Sequence, residues 1–482
     1  MKTIIFLGTH KSGSSREALR AADRLGYYTV LYTDRPNFLE QRTTFPEAHL
    51  MQLCDLNNLE ELKNDITHLL STGILICAIV SFIEPYCHTA CLLAEEFEVN
   101  HFSTQAINTM QDKILSRKVL SKSPYNPSFM VLDEDDISLS SLPREINRRF
   151  PFILKLPHSS SSKDVFKINS SKEYKRYLKK IFQKSNEPIL AEEYLDGPQY
   201  LVEVIVYQKK LHIVAIFQQE ITHQKRFIVT GYNLLIDPPA DFYRDLKEAV
   251  ESIVVDHGME SGACHLELRH VWTTRTVPSP NGDNTWGHLH EQTWKLVEIN
   301  PRISGGGMNK LIEIGFGLNL VEETLKLALG QEPNLQPEHR QHVFAQYVTV
   351  SETGILEKVT GKQKAALCPG VQEIYIKPRK GTLLTPPLSM GHRYAYVIAT
   401  GDSEQAAIKN AKFAASQIQF SLTPPPDRLP DNEPSQGTET IAHQDESYLP
   451  DIEMPDIEMP DIKMPDIEML DIEMLDIEMY DK

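Results

Sequence analysis

Cysteine is scarce in this chain, six residues in 482, and no two of them form a C-x-x-C pair. That excludes a disulfide scaffold and points to a reducing compartment, the cytoplasm. Cys87 and Cys91 stand near His88 and His101, but one C-x-x-x-C on a helical stretch is expected to be ordinary burial, not a zinc site. Long hydrophobic runs are missing too: the longest, from Ile74 to Phe82, falls far short of the roughly 20 residues of a membrane span. The apolar patch Ile4 to Leu7 is shorter than the roughly 7–15 residues of an export signal and reads as a first strand. No G-x-G-x-x-G occurs, which removes the usual dinucleotide fingerprint. Gly8 to Gly13 has the glycine spacing of a phosphate loop but lacks the lysine that must follow, so a tight strand-to-helix turn is expected there.

A basic surface is also absent. The net charge is −17, yet from Ser421 onward 18 acidic residues face three basic ones, leaving 48 acids against 46 bases in the body. Nothing in that balance suits nucleic acid. What remains is 41% apolar and 24% charged, the composition of a soluble globular protein, and the length suggests roughly three domains.

Strand-like runs at Thr3 to Leu7, Thr29 to Thr33 and Ile74 to Phe82 alternate with helical patterns at Arg16 to Leu25 and Leu59 to Leu70. That order implies an α/β, Rossmann-like domain over residues 1–105, a parallel sheet with helices on both faces. Further on, Lys155 sits inside the apolar strand Phe152 to Leu156, where a cation must snorkel or meet an anion. Ile189 to Gln199 reads as a strand and a turn marked by Gly197-Pro198. Leu201 to Tyr207 and Leu211 to Gln218 form a hairpin-like pair, and Thr273 to Gln292 reads as a long loop insertion whose His288 and His290 are solvated. Two alternating stretches, Gly262 to Leu268 and Leu296 to Arg302, carry His265 and Glu267 on one and Glu298 and Asn300 on the other. Two carboxylates and an amide carbonyl suit Mg²⁺ shared with phosphates. The alternative is a solvated sheet face.

The E-x-N-P-R run at Glu298 to Arg302, leading into Gly305 to Gly307, resembles the ATP-grasp family, and Gly317 to Glu322 resembles its amino acid ligases. The resemblance covers roughly residues 1–420 and implies an α+β ATP-grasp fold. Residues 106–330 would be the ATP-grasp domain and 331–420 a closing subdomain, with strands at Val343 to Val350, Val371 to Ile376 and Tyr394 to Thr400 and a helix from Ser403 to Ile418. It implies that Lys113 and Lys155 contact ATP phosphates, that Ser161 and Ser162 belong to a closing loop with Lys163 adding charge, and that Glu192, Glu193 and Leu195 line the adenine hinge with backbone groups. Gln199 stands where the family usually has a ribose-binding glutamate. Glu267, Glu298 and Asn300 would hold Mg²⁺, with Mn²⁺ an acceptable substitute, while Arg302, Gly305 and Gly306 would stabilise the oxyanion. The implied activity is ATP-dependent carboxylate–amine ligation through an acyl phosphate, on small carboxylate and amine substrates, amino acids by the resemblance. A purine-pathway-like or carboxylase-like ligase is an alternative, as is a non-catalytic nucleotide-binding scaffold suggested by the glycine-poor serine loop and Gln199. A homodimer is compatible with the family.

Past Pro424 the chain is of low complexity. Asp-Ile-Glu-Met recurs at intervals of five from Asp451, and proline at every fifth position from Pro450 to Pro465 forbids a stable helix. Residues 421–482 are therefore expected to be a disordered acidic tail, either a ligand for a protein partner or a repeat without function.

Overall fold

The computed structural model describes residues 1–132, 150–157, 165–183, 185, 187–222, 228–278, 286–305 and 307–425, with side chains described outside 274–290. Ser161, Ser162, Lys163, Gly306, the side chains of His288 and His290, and the acidic repeat lie outside the described residues.

The first sheet is wholly parallel, in the order Leu50–Leu53, Tyr28–Thr33, Lys2–Leu7, Leu75–Val80. Its strands are apolar on both faces because both are covered, as parallel sheets require. Ile4, Phe6 and Leu31 pack with Ala18 and Leu19 of the helix Ser14–Arg24. Ile5, Leu7, Val30 and Tyr32 pack with Leu62 and Ile66 of the helix Leu59–Ser71 and with Ala90 and Leu93 of the helix Glu84–Glu96. The short edge strand Leu50–Leu53 was not expected, because its half-exposed residues show no apolar alternation. All six cysteines are free, and Cys87 and Cys91 are buried.

A small antiparallel sheet, Phe129–Leu132, Ile189–Glu193, Phe152–Lys155, Val165–Ile168, carries the helix Ser171–Phe182 on one face. Tyr174, Leu178 and Ile181 of that helix close a core with Phe152, Leu154 and Ile189. Ser170 caps it by accepting from the Glu173 N–H.

The central element is an eight-stranded sheet in the order Trp286–Asn300, Gly262–Pro278, Gln199–Tyr207, Lys210–Thr222, Ile228–Leu234, His342–Val348, Ala395–Gly401, Val371–Ile376. Every neighbouring pair is antiparallel. The helix Ala240–Asp256 covers one face through Leu246, Val250 and Ile253 against Val202, Val204 and Leu266. The helices Met308–Phe316 and Leu320–Ala328 help cover the other, in a core continuous with Ile4, Phe6 and Leu31 of the first sheet. Among the described residues no helix is long and apolar enough to cross a membrane.

Two expectations change. Residues 273–278 and 286–292, expected to be loop, are strand: the ladder runs from His265↔Asn300 to Pro278↔Trp286. Polar residues on a β-ribbon do not advertise a buried face, so composition alone suggested a loop. Of the strands after residue 341, His342–Val348, Ala395–Gly401 and Val371–Ile376 extend the central sheet, while Leu383–Leu384, Gly354–Thr360 and Gln419–Thr423 form a three-stranded sheet of their own. The chain is also still in a strand at 421–423, because Gln419–Thr423 pairs with Gly354–Thr360.

Candidate active site

Antiparallel pairing sets Glu267 directly opposite Glu298 and His265 opposite Asn300. Side chains so placed are neighbours on one face. Just beyond, Leu268 pairs with Leu296, so Val297 is the extra residue of a β-bulge. The bulge turns its carbonyl toward two cations: Arg117 donates to it at 2.7 Å and the Lys155 ammonium at 3.2 Å. Burial, then the charge of Glu298, raises the Glu267 carboxyl above the usual carboxylate range. Gln199 donates its amide N–H to Glu267 at 2.8 Å, and the Lys113 ammonium lies 3.2 Å from Glu298. The described residues hold no cluster of three or more His, Cys, Asp or Glu side chains spaced for a metal. The set is instead two facing carboxylates whose repulsion in a buried site a divalent cation would relieve, so the donors fit Mg²⁺ shared with substrate oxygens. Asn300 is oriented from the first sheet: with its amide nitrogen turned toward Glu84, that nitrogen lies 3.0 and 3.2 Å from the two carboxylate oxygens.

Lys113 is the first residue of the helix Lys113–Val119, which Asp112 caps by accepting from the Ile114 and Leu115 N–H groups. Its ammonium also donates to the Pro157 carbonyl at 3.2 Å. One turn on, Arg117 is buried and bonds Glu192 at 2.5 Å, while Lys155 reaches the other oxygen of Glu192 at 2.7 Å. Burial pulls Lys155 below the lysine range, with Glu192 opposing and Arg117 adding to the shift. Burial alone would raise Glu192, but the two cations hold it below the usual carboxylate range. Lys155 therefore meets its anion within the protein, and the Glu192 side chain, expected to be incidental, is the centre of a buried ion triad. Glu193 accepts from the Ser128 N–H at 3.0 Å. The Leu195 carbonyl accepts from Arg269 at 2.7 Å, and Arg269 also donates to Gln199 at 3.0 Å. Gln199 is thus held at both ends, between Glu267 and Arg269. Gly197 is needed for close approach: a Cβ there would lie 2.1 Å from the His270 carbonyl oxygen.

Arg302 donates to Glu84 at 2.7 Å. Gly305 lines the same cleft, where a Cβ would meet nothing within 4 Å, and Gly307 precedes the helix Met308–Phe316. Ser304, just before Gly305, is anchored by Glu203, which accepts from the Ser304 N–H at 3.1 Å and contacts the His265 ring at 2.7 Å. Sequence reasoning missed Glu203, although an acid inside Leu201 to Val206 is the same kind of signal as Lys155. It missed Glu84 because no local pattern joins it to Arg302, 218 residues away.

His265 and Glu203 shift in opposite directions. Burial would lower His265, but Glu203 wins and raises it; burial would raise Glu203, but His265 and Ser304 lower it. The His265 contribution to stability is therefore complete below pH about 6.5 and fades as pH rises through its raised value; that of Glu203 is present above pH about 4.3 and fades as pH falls through its lowered value. In Glu203→Gln the main raising partner is gone, with only Glu267 left to raise it, and the His265 ring, followed by NMR, is expected to titrate at lower pH than in the parent; an unchanged titration would disprove the pairing.

Lys113, Lys155, Gln199, Glu267, Glu298 and Arg302 line one cleft of about 330 Å³, within the size range of small-molecule sites. A model described as the ATP-grasp domain matches residues 148–279, and one described as L-amino acid ligase C-terminal domain 2 matches residues 346–423. The chain is 21% identical to the uncharacterized protein y4rH of Sinorhizobium fredii, over 88% of this chain and 84% of that protein. It is 18% identical to the L-arginine-specific L-amino acid ligase of Bacillus subtilis, over 49% of this chain and 54% of that one. The crystal structure of L-amino acid ligase from Bacillus licheniformis superposes with a TM-score of 0.69 at 16% identity, covering 88% of this chain and 99% of that one. The chain thus carries a match to the ATP-grasp domain at residues 148–279 and to the L-amino acid ligase C-terminal domain 2 at residues 346–423, on an ATP-grasp fold shared over 88% of its length.

Proposed function

We propose that this enzyme joins a carboxylate to an amine, with amino acids as substrates, through an acyl phosphate. The carrying observation is the facing pair Glu267 and Glu298 with the Lys113 ammonium at 3.2 Å from Glu298. The name of the Bacillus subtilis relative supports amino acids as substrates. In this reading a carboxylate oxygen attacks the γ-phosphorus of ATP, the bond to the β-phosphate oxygen breaks, and ADP leaves. The amine nitrogen then attacks the acyl carbon, the carbon–oxygen bond to phosphate breaks, and the amine's proton leaves with orthophosphate or water. Lys113 and Lys155 hold phosphate oxygens, which replace part of their present carboxylate contacts. Arg302, with its planar fork, grips the reacting carboxylate, and the Gly305 N–H faces the developing oxyanion. Glu267, Glu298 and Asn300 would hold Mg²⁺, or Mn²⁺ in its place, which when bound neutralises phosphate charge. Free thiols throughout suit a cytoplasmic enzyme.

The test is product identity after incubation with ATP, Mg²⁺ and pools of amino acids. ADP and orthophosphate, formed only when a carboxylate and an amine are both present and accompanied by a new amide in the mass spectrum, are expected. AMP and pyrophosphate would overturn the mechanism. Binding of Mg-ATP without turnover in any pool would favour the scaffold alternative.

A further inference from the structure

The cations near the phosphate end of the cleft have carboxylate partners: Lys113 with Glu298, Lys155 with Glu192, and Arg302 with Glu84. Of the two further arginines lining the cleft, Arg269 donates to Gln199 and the Leu195 carbonyl, whereas Arg393 has no carboxylate among its contacts with the described residues. Its guanidinium lies 3.9 Å from the Tyr347 ring centre and 5.9 Å from that of Tyr232. Among the described residues its hydrogen bonds go to the Met390 carbonyl at 3.2 Å and, weakly, to the Tyr232 hydroxyl at 3.4 Å. Two neutral acceptors do not satisfy five N–H donors or balance a charge, and the geometry leaves donors of a rigid fork for a ligand.

Its place in the sheet says which ligand. Tyr232 lies on Ile228–Leu234, three strands from Gly262–Pro278, which carries Glu267. At about 4.8 Å per strand, the two are roughly 14 Å apart across the sheet. A two-residue chain spans about 7 Å when extended, and the side chains gripping its ends cover the rest. A substrate whose acyl carbon lies beside Arg302 and Gly305, next to the phosphate end marked by Glu267 and Glu298, has room to extend its far end toward Arg393 in the same cleft. An anion at that far end is also repelled by the two carboxylates and needs a counter-charge of its own.

We propose that Arg393 is a specificity-determining residue that binds the free carboxylate of the amine substrate, so that the acceptor is an amino acid and not ammonia or a simple amine. This rests on the ligation reading above. Stacking on Tyr347 holds the fork in plane, so the carboxylate is received by a preorganised group.

Hydroxylamine separates the two ideas, because it captures an acyl phosphate as a hydroxamate and has no carboxylate. Amino acid pools serve as donors, with hydroxylamine, alanine, alaninamide and ethylamine as alternative acceptors. The unaltered enzyme is expected to form hydroxamate and to use alanine at least ten-fold better than alaninamide or ethylamine. In Arg393→Met the KM for alanine as acceptor should rise on the order of 10- to 100-fold, the loss of a charge-assisted pair, while hydroxamate formation is retained. Arg393→Lys, which keeps the charge without the fork, should fall between them. Equal use of alanine and alaninamide by the unaltered enzyme overturns the inference without any variant. So does a loss of hydroxamate formation in a folded Arg393→Met, or a loss confined to donors with acidic side chains. If the unaltered enzyme forms no hydroxamate with any donor, the ligation reading falls and this inference with it.

Discussion

Glu298→Ala is expected to lower ATP turnover by at least about 1,000-fold while the folded protein melts no earlier than the parent. The activity loss follows from removing one of two facing carboxylates. The remaining donors, Glu267 and Asn300, would leave phosphate charge poorly neutralised, and about 4 kcal/mol of transition-state stabilisation corresponds to that factor. The Lys113 ammonium, 3.2 Å from Glu298, also loses the carboxylate that fixes its direction. Stability should not suffer, because Glu298 is one of the two largest causes that raise Glu267, and its removal ends a like-charge contact. Turnover is read by ADP release and folding by thermal melting without nucleotide. Parent-like turnover in Glu298→Ala would exclude Glu298 from the site.

Glu192→Ala should act in the opposite sense, destabilising the fold by about 3–5 kcal/mol, because it leaves two buried cations without their shared counter-charge. Arg117 is 1% exposed and Lys155 4% exposed, so water cannot replace the lost carboxylate. The neighbouring contacts to the Val297 carbonyl satisfy donors but supply no negative charge. Urea unfolding should show the loss as a lower midpoint with an unchanged slope. The same carboxyl predicts acid sensitivity: held below its ordinary value, it stabilises the fold at neutral pH, and that contribution fades as pH falls through the lowered value. A loss below about 1 kcal/mol would show that the triad is not the buried electrostatic unit described here.

Much of this protein was legible from local pattern. The parallel first sheet follows from apolar runs alternating with amphipathic helices, because a strand buried on both faces must be apolar throughout. Glu267, Glu298 and Asn300 stood out because period-two alternation puts them on one face of adjacent strands. Lys155 stood out because a cation in an apolar strand needs an anion. Those inferences use only the chain's own periodicity and the cost of burying charge.

The identity of that anion, Glu192, was a matter of tertiary structure, as was the role of Glu84, which reaches Arg302 and Asn300 from the start of the helix Glu84–Glu96 packed on the first sheet. The bulge at Val297 is likewise invisible in a sequence of regular alternation, since it depends on how Leu268 pairs with Leu296 across the ladder. Arg393 gave no local signal: it becomes a cleft residue only because the strand Ala395–Gly401 joins the central sheet beside His342–Val348, bringing the arginine over Tyr347 and Tyr232. Side-chain direction along one strand is set by the two-residue repeat of its own backbone, whereas which charges meet, and which is left for a substrate, depends on strand order and register between segments hundreds of residues apart.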